Sequence, residues 1–223
     1  IKISQRFLLQ ILFFMNLMNN LIFEKIVYKF VSICIVFPVF RFLFRGCLVG
    51  AHNIPTNKSF IIVSNHGSLL DPPFLGHALG VKVSFMAKEE LFRIPLLSQV
   101  IKACGAYPVR RGIADRNSIK IASNKLTNNE VIGIFIDGTR QSNGIVNKPK
   151  KGAALIAFKT KKLLLPVAII NSHRLIKFKY CIPIFNKIII KVGEPINYPI
   201  SSSKKDIEEI TNQLKNKINF LIG

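Results

Sequence analysis

The chain has 223 residues, 49% of them hydrophobic, which is enough for one large domain or two small ones with a buried core. Its 32 lysines and arginines face only 11 aspartates and glutamates, and the formal net charge of +21 attracts phosphate groups on lipids, nucleic acids or small substrates. The four cysteines are widely scattered, without a Cys-x-x-Cys or Cys/His cluster, so the sequence argues against a disulfide framework and indicates no metal site.

Residues 1–46 form the most apolar part of the chain, and we expect them to act as an attachment segment. Their first residues imitate a signal peptide, but no alanine precedes Ala51, so an A-x-A-like cleavage site is missing. Met15 and Met18 are both candidate natural starts.

Neither apolar stretch of this segment fits a bilayer span, which needs about 20 mostly apolar residues. Residues 7–23 carry a glutamine and three asparagines, whereas residues 31–40 are short, contain Pro38 and run into Arg41 and Arg45. Phenylalanine, isoleucine and valine interleaved with lysine and arginine are typical of a helix lying in the membrane interface. The sequence therefore predicts peripheral, monotopic attachment to an anionic membrane surface on the cytoplasmic side. A helix docked on the protein's own core is the alternative.

From about residue 58, short β-branched runs alternate with helical patterns. Strands are predicted at residues 60–64, 81–86, 107–109, 131–136, 163–170 and 188–192, and helices at residues 72–79, 89–104, 116–126, 151–161 and 204–221. The last helix has a capping-box-like start, with Ser203 followed three residues later by Asp206. Such alternation predicts an α/β fold, with a central mixed, largely parallel β-sheet flanked by helices and a single domain over residues 47–223.

The stretch FIIVSNHGSLLDPPFLG, residues 60–76, places His66 and Asp71 just beyond the end of a predicted strand. Open α/β folds usually build their sites at this edge of the sheet. Asp71 precedes two prolines and is also well placed to be the N-cap of the next helix. The two side chains can meet only if residues 67–70 form a tight turn. The carboxylate would then fix one imidazole nitrogen and leave the other free to take a proton.

No nucleophile accompanies this pair, because Ser68 lies outside any G-x-S-x-G elbow. A base without a nucleophile indicates direct activation of a hydroxyl group on the substrate. As a structural alternative, His66 would be a histidine satisfied within the fold.

Five blocks in order resemble the glycerolipid acyltransferases related to 1-acylglycerol-3-phosphate acyltransferase. NHGSLLD resembles their N-H-x4-D motif, and the further blocks are AKEELFRIPLL (87–97), GAYPVRRG (105–112), FIDGTRQ (135–141) and KKGAALIAFKTKKLLLPVAI (150–169). The resemblance covers about residues 50–200. It implies acyl transfer from acyl carrier protein or coenzyme A to the sn-2 hydroxyl of lysophosphatidate, giving phosphatidate, with no cofactor beyond the thioester.

The resemblance also implies roles for particular residues. His66 would be the general base and Asp71 would orient it. The other matching positions would bind or surround the acceptor phosphate: Lys88, Arg111, Asp137, Gly138, Thr139 and Arg140. Fixed guanidinium and ammonium groups on loops at strand ends suit that task. Solvated surface charge is the alternative for Lys88 and Arg111.

Two positions depart from the family pattern: Asp137 stands where the usual residue is glutamate, and Ile136 where it is proline. The shorter carboxylate keeps its charge, so we do not interpret the site as inactive. Within enzymes, the alternative is another acceptor, such as glycerol 3-phosphate or a different lysolipid. Outside enzymes, the alternative is a basic membrane-surface or nucleic-acid-binding protein. We expect no nucleic-acid partner, because the sequence carries no RNA-binding signature.

Overall fold

The structure is a computed structural model that describes residues 22–56, 58–109, 116–177, 182–183 and 186–223. The helices of this part are α1 (Ile22–Leu43), α2 (Asp71–Ala78), α3 (Pro95–Ala103), α4 (Arg116–Thr127), α5 (Gly152–Thr160) and α6 (Lys204–Ile222). The strands are β1 (Cys47–Val49), β2 (Ile61–Ser64), β3 (Val83–Lys88), β4 (Tyr107–Val109), β5 (Val131–Phe135), β6 (Leu164–Ile170), β7 (Ile176–Lys177), β8 (Ile182–Pro183) and β9 (Ile189–Val192).

Seven of these strands form one sheet in the order β1-β9-β6-β2-β5-β3-β4. Neighbouring strands are parallel except β6 and β9, which pair antiparallel. Strands β7 and β8 form a separate antiparallel pair. The central strand β2, with the sequence IIVS, is buried along its whole length, as the continuous apolar run requires of a strand covered on both faces. The prediction of a mixed, largely parallel sheet flanked by helices is confirmed.

One predicted helix is divided in the structure, and three short strands, β1, β7 and β8, were not predicted. The stretch predicted as one helix over residues 89–104 is a 3₁₀ turn, Glu89–Arg93, followed by α3. Pro95 explains the break, because proline lacks an amide hydrogen and suits the first turn of a new helix. Strand β1 was not predicted at all, since its three residues gain order only by pairing with β9.

The helices cover the two faces of the sheet with separate hydrophobic clusters. One cluster unites apolar side chains of α1 and α2 with one face of the sheet, and the other unites α4, α5 and α6 with the opposite face. Helix α6 contributes Ile207, Leu214 and Ile218 at helical spacing, and the Ser203 side chain accepts the amide hydrogen of Asp206 at 3.0 Å. The predicted N-cap of this helix is confirmed.

Helix α1 runs without a break through Pro38, so the prediction that its apolar stretch is short was wrong. It has 22 residues, and its most apolar 18-residue window has a mean hydropathy of 2.0, so the helix is long and apolar enough to cross a membrane by length and composition alone. Wider, π-helical turns at Val31–Val36 and Val39–Leu43 flank the proline. In a π-helical turn, each amide donates to the carbonyl five residues earlier instead of four. This wider spacing accommodates Pro38, because proline has no amide hydrogen to donate.

One face of α1 is docked on the domain. The Tyr28 hydroxyl donates to the Val81 carbonyl at 2.8 Å, and the Ser32 hydroxyl lies 3.0 Å from Nδ1 of His77 in α2. Burial raises the pKa of Tyr28 to about 12 and lowers the pKa of His77, so both groups stay neutral at pH 7. Phe40 is buried, with its ring centroid 5.1 Å from that of Phe74. The alternative in the sequence analysis, a helix docked on the protein's own core, therefore describes this face of α1.

Candidate functional site

His66 and Asp71 meet at the carboxyl end of β2, in the middle of the sheet. Nδ1 of His66 lies 2.8 Å from Oδ2 of Asp71, and the two residues are 6% and 0% exposed. A carboxylate can only accept, so the shared hydrogen sits on Nδ1 and the Nε2 lone pair remains available. The geometry is that of an imidazole whose tautomer is fixed for taking up a proton at Nε2.

A tight turn over residues 67–70 makes this contact possible, as the sequence required. The amide nitrogens of Gly67 and Ser68 lie 2.7 and 2.8 Å from the same Oδ2 of Asp71, and the Asp71 amide donates to the Ser68 carbonyl at 3.3 Å. The Asp71 carboxylate thus holds the turn that precedes α2. The prediction that Asp71 is the N-cap was wrong, because Leu70 occupies that position and the carboxylate points back to earlier amides.

Phe135, the last residue of β5, lies flat against the His66 imidazole. The ring centroids are 3.9 Å apart with an interplanar angle of 12°, and Phe85 stacks on the far side of Phe135 at 5.3 Å. The face of an aromatic ring attracts a cation, so this contact favours the imidazolium formed when His66 takes a proton. No sequence signal indicated this contact, because only the parallel register of β2 and β5 brings Phe135 beside the turn.

Asn65 fixes the position from which the His66 side chain projects. Its amide nitrogen donates to the carbonyls of Gly144 and Ile169 at 2.7 and 2.8 Å, and its oxygen accepts from the Ile169 amide at 2.8 Å. The His66 carbonyl accepts from the amide of Gln141 at 2.7 Å. The fully buried Asn65 therefore joins three segments of the carboxyl edge, a role that no sequence signal indicated beyond its place in the motif.

His173, in the 3₁₀ turn after β6, packs behind the same turn. A Cβ on Gly67 would lie 2.6 Å from the His173 amide nitrogen, and one on Gly144 would meet the His173 ring. Any larger side chain at residue 67 or 144 would therefore displace the segment behind His66. Burial and the neighbouring Arg174 guanidinium lower the pKa of His173, so it packs there as a neutral imidazole.

The predicted phosphate-binding residues in the described part of the chain come to the same edge of the sheet. Lys88 is exposed at the end of β3, and Gly138, Thr139 and Arg140 are exposed in the turn after β5. Gly138 has φ of +70°, a conformation that suits glycine and brings the turn back toward the edge. Arg111 falls within residues 110–115, outside the described residues.

Asp137 has a different environment from the other predicted phosphate-binding residues. It is 3% exposed, and its carboxylate accepts from the amides of Lys148 at 2.8 Å and Asn147 at 3.4 Å. These bonds close the loop over residues 138–148, and the Lys150 amide continues it by donating to the Ile136 carbonyl at 2.8 Å. The carboxylate therefore shapes the loop that displays Thr139 and Arg140.

Residues 22–56, 58–109, 116–177, 182–183 and 186–223 contain no group of three or more histidine, cysteine, aspartate or glutamate side chains placed to hold a metal ion. The chemistry available within this part is that of an oriented imidazole, its carboxylate partner and nearby lysine and arginine side chains.

The family model described as acyltransferase matches residues 46–170 of this chain. The 1-acyl-sn-glycerol-3-phosphate acyltransferase of Bacillus subtilis is 31% identical over 76% of this chain and 84% of its own length. The protein of that name from Borreliella burgdorferi is 32% identical over 56% of this chain, and the match spans about half of its own length, 51%. The crystal structure of the 1-acyl-sn-glycerophosphate (LPA) acyltransferase PlsC from Thermotoga maritima superposes with a TM-score of 0.70 at 31% identity, covering 87% of this chain and 78% of that one.

Proposed function

Because this chain belongs to the acyltransferase family, we propose that it transfers an acyl group from a thioester to the sn-2 hydroxyl of 1-acyl-glycerol 3-phosphate, forming phosphatidate. The relatives named for this reaction support the choice of acceptor. The observation that carries the proposal is the His66–Asp71 contact of 2.8 Å at the carboxyl edge of the sheet. That contact supplies a base for a hydroxyl group.

The reaction needs one proton to be removed and returned. Nε2 of His66 takes the proton of the acceptor hydroxyl while the hydroxyl oxygen attacks the thioester carbonyl carbon. The new ester C–O bond forms, the C–S bond breaks, and the departing sulfur receives the proton from the imidazolium. The Asp71 carboxylate and the Phe135 ring face both favour the imidazolium of the intermediate step.

The acceptor phosphate is held by cationic side chains: Lys88 and Arg140 at the same edge, and Arg111, which falls outside the described residues. Lys88, Arg111 and Arg140 supply charge, because fixed ammonium and guanidinium groups bind phosphate oxygens strongly. Gly138 and Thr139 shape the turn on which Arg140 stands, and Asp137 holds that turn through the amides of residues 147 and 148. With the phosphate fixed, the sn-2 hydroxyl lies within reach of His66.

The reaction uses no metal or cofactor besides the thioester, because the base, its partner and the phosphate-binding charges all come from the protein. Both acyl carrier protein and coenzyme A fit as thioester carriers, since each is anionic and the chain carries a net charge of +21.

The protein acts at a membrane interface, where its acceptor and product both reside. Contacts along α1, from the Lys82–Glu24 ion pair at 3.0 Å to the buried Phe40, bind one side of this helix to the domain. A helix docked on the domain along one side can lie in the membrane interface with its other, apolar side. We therefore place the protein as peripheral and monotopic, on the cytoplasmic face where thioesters are made.

The test is an assay of the purified protein on vesicles with each pairing of acceptor and thioester. The acceptors are lysophosphatidate, glycerol 3-phosphate and a neutral lysolipid, and the donors are acyl carrier protein and coenzyme A thioesters. We expect phosphatidate from lysophosphatidate, with one thiol released per ester formed. Faster acylation of glycerol 3-phosphate or of another lysolipid would overturn the choice of acceptor. Salt-dependent RNA binding without thioester consumption would overturn the enzymatic proposal.

A further inference from the structure

Helix α3 exposes large apolar side chains and buries small ones, which is the reverse of the usual arrangement in a water-soluble domain. Leu96 is 79% exposed, while Leu97 and Val100 are 37% and 38% exposed. Ser98 and Ala103, which have little apolar surface to hide, are buried. Burial of a leucine stabilises a water-soluble domain, so such a domain would pack these side chains against its core. The exposed side of α3 is thus suited to an apolar surrounding.

Two further exposed apolar side chains lie before α3 and in the turn at the site. Ile94, directly before α3, is 50% exposed, and Leu69, in the turn between His66 and Asp71, is 60% exposed. Because α3 begins just after the carboxyl end of β3, these side chains lie at the same edge of the sheet as the His66 imidazole. We call Leu69, Ile94, Leu96, Leu97 and Val100 the α3 surface.

The α3 surface is on the same face of the sheet as α1. Helices α2 and α3 both connect strands in the direction from β2 toward β4, and right-handed crossovers put both on one face, the face on which α1 packs. The proximity of Cys104, which follows α3, to Tyr28 of α1 agrees with this placement. The other side of α1 also exposes large apolar side chains, among them Ile26, Phe30 and Ile33.

The opposite face is different. Its exposed large apolar side chains in the described residues are isolated, as with Ile200 before α6 and Phe220 within it, at 92% and 85% exposed. The charges that border the α3 surface are mostly basic: Lys88, Arg93 and Lys102, with Glu89 lying 3.9 Å from Arg93 and Glu90 exposed. An apolar surface with a basic border fits the interface of a bilayer that contains anionic lipid.

We infer that the α3 surface is a second membrane-contacting element, which inserts beside the active site while α1 lies in the same leaflet. This inference rests on the proposed function, because it supposes an acceptor that is drawn from the bilayer. Insertion at this place removes water from the path between the leaflet and His66, so that lysophosphatidate reaches the base without leaving the lipid phase.

Tryptophan fluorescence tests the contact directly, because the chain has no tryptophan of its own. Three variants, Leu96→Trp, Phe30→Trp and Ile200→Trp, are reconstituted on vesicles with plain or with brominated acyl chains. We expect bromine to quench Leu96→Trp and Phe30→Trp and to leave Ile200→Trp unchanged. Quenching of Phe30→Trp alone would overturn the α3 contact while leaving the α1 attachment in place. Blue-shifted but unquenched emission from Leu96→Trp would also overturn it, since protein would then cover the surface. Absence of quenching in both Leu96→Trp and Phe30→Trp would overturn the membrane placement as well.

Kinetics of the Leu96→Ser/Val100→Ser double variant test the consequence. We expect KM for lysophosphatidate in vesicles to rise about tenfold, because two partly inserted apolar side chains are lost. We expect kcat on a water-soluble short-chain lysophosphatidate to be unchanged. The control Ile200→Ser/Phe220→Ser should match the unmodified protein. An unchanged KM on vesicles would overturn the inference. Equal losses on both acceptors, or a loss confined to acyl carrier protein thioesters, would assign the surface to catalysis or to the carrier instead. Failure of the unmodified protein to acylate either acceptor would refute the proposed function, while the quenching result would stand.

Discussion

Oδ2 of Asp71 gathers three donors, the His66 ring and the amides of Gly67 and Ser68, within 2.8 Å. One buried carboxylate oxygen therefore sets both the shape of the turn and the tautomer of the base. Since all three donors converge on one atom, the imidazole has little freedom to rotate away. Precise placement of a base contributes to catalysis, because small displacements of a reacting group are costly.

Phe135 is the second residue that acts on the His66 ring. We predict that Phe135→Leu lowers kcat about 5- to 30-fold, the worth of a desolvated cation–π contact of about 1–2 kcal/mol, and leaves KM for lysophosphatidate nearly unchanged. Loss of the contact makes the imidazolium formed during transfer less stable, so the effect should fall on kcat. Phe135→Tyr keeps the ring and should retain most activity. Normal kcat in Phe135→Leu would show that the stacking is packing alone.

We propose that the cations at the edge, Lys88 and Arg140, act on the acceptor and not on the donor. We predict that Lys88→Ala and Arg140→Ala each raise KM for lysophosphatidate, because each removes a charge-assisted contact with phosphate worth about 1.5–3 kcal/mol. Steady-state kinetics with either substrate varied will separate the two effects, and Lys205→Ala in α6 serves as a control for lost charge. Raised KM for the thioester alone would contradict the phosphate assignment.

At the scale of elements, Asn65 joins the end of β2 to β6 and to the loop around Gly144. We predict that Asn65→Ala lowers the free energy of unfolding by at least about 2 kcal/mol, because it leaves buried carbonyl and amide groups without partners. Thermal unfolding in detergent will measure the change, with the exposed Asn212→Ala in α6 as the control. Equal stability of the two variants would mean that the amide does not join these segments.

Helix α1 docks on the domain with one face, and we propose that its other face contacts the membrane. Deletion of residues 1–45 cannot separate these roles, because it also removes the buried Val36, Phe40 and Phe44. We predict instead that Phe30→Glu with Ile33→Glu, both on the exposed face, releases the protein from anionic vesicles without changing its thermal unfolding. Phe220→Glu in α6 is the matched control. Cosedimentation will measure binding, and full retention by the double variant would contradict attachment through α1.

The sequence patterns predicted most elements of the sheet and helices, because the strands are continuous β-branched runs and α6 keeps its apolar residues on one face. They failed where the decisive contact is distant or unusual. Strand β1 depends on pairing with β9, and α1 continues through Pro38 by π-helical turns. In the site, the sequence made the contact of His66 with Asp71 conditional on a tight turn over residues 67–70, and the structure has that turn. The roles of Asn65 and Phe135 depend on which strands are neighbours.

At the scale of the whole molecule, the two faces of the sheet have different surroundings. Helices α4, α5 and α6 cover one face and carry lysines, while α1 and α3 on the other face expose apolar side chains beside the edge that holds His66. In the proposed placement, this arrangement turns the site toward the membrane from one side and leaves a basic surface toward water. An anionic thioester carrier can approach that surface while the acceptor arrives from the leaflet.

The central claim is that His66 removes the proton of the lysophosphatidate hydroxyl. The measurement that tests it most directly is the rate of phosphatidate formation by His66→Ala on lysophosphatidate vesicles, with thermal unfolding recorded for the same sample. We predict a loss of about 10²–10⁴-fold in kcat, the usual contribution of a general base, together with a normal unfolding transition and normal vesicle binding. Near-normal turnover by the folded variant would contradict the account.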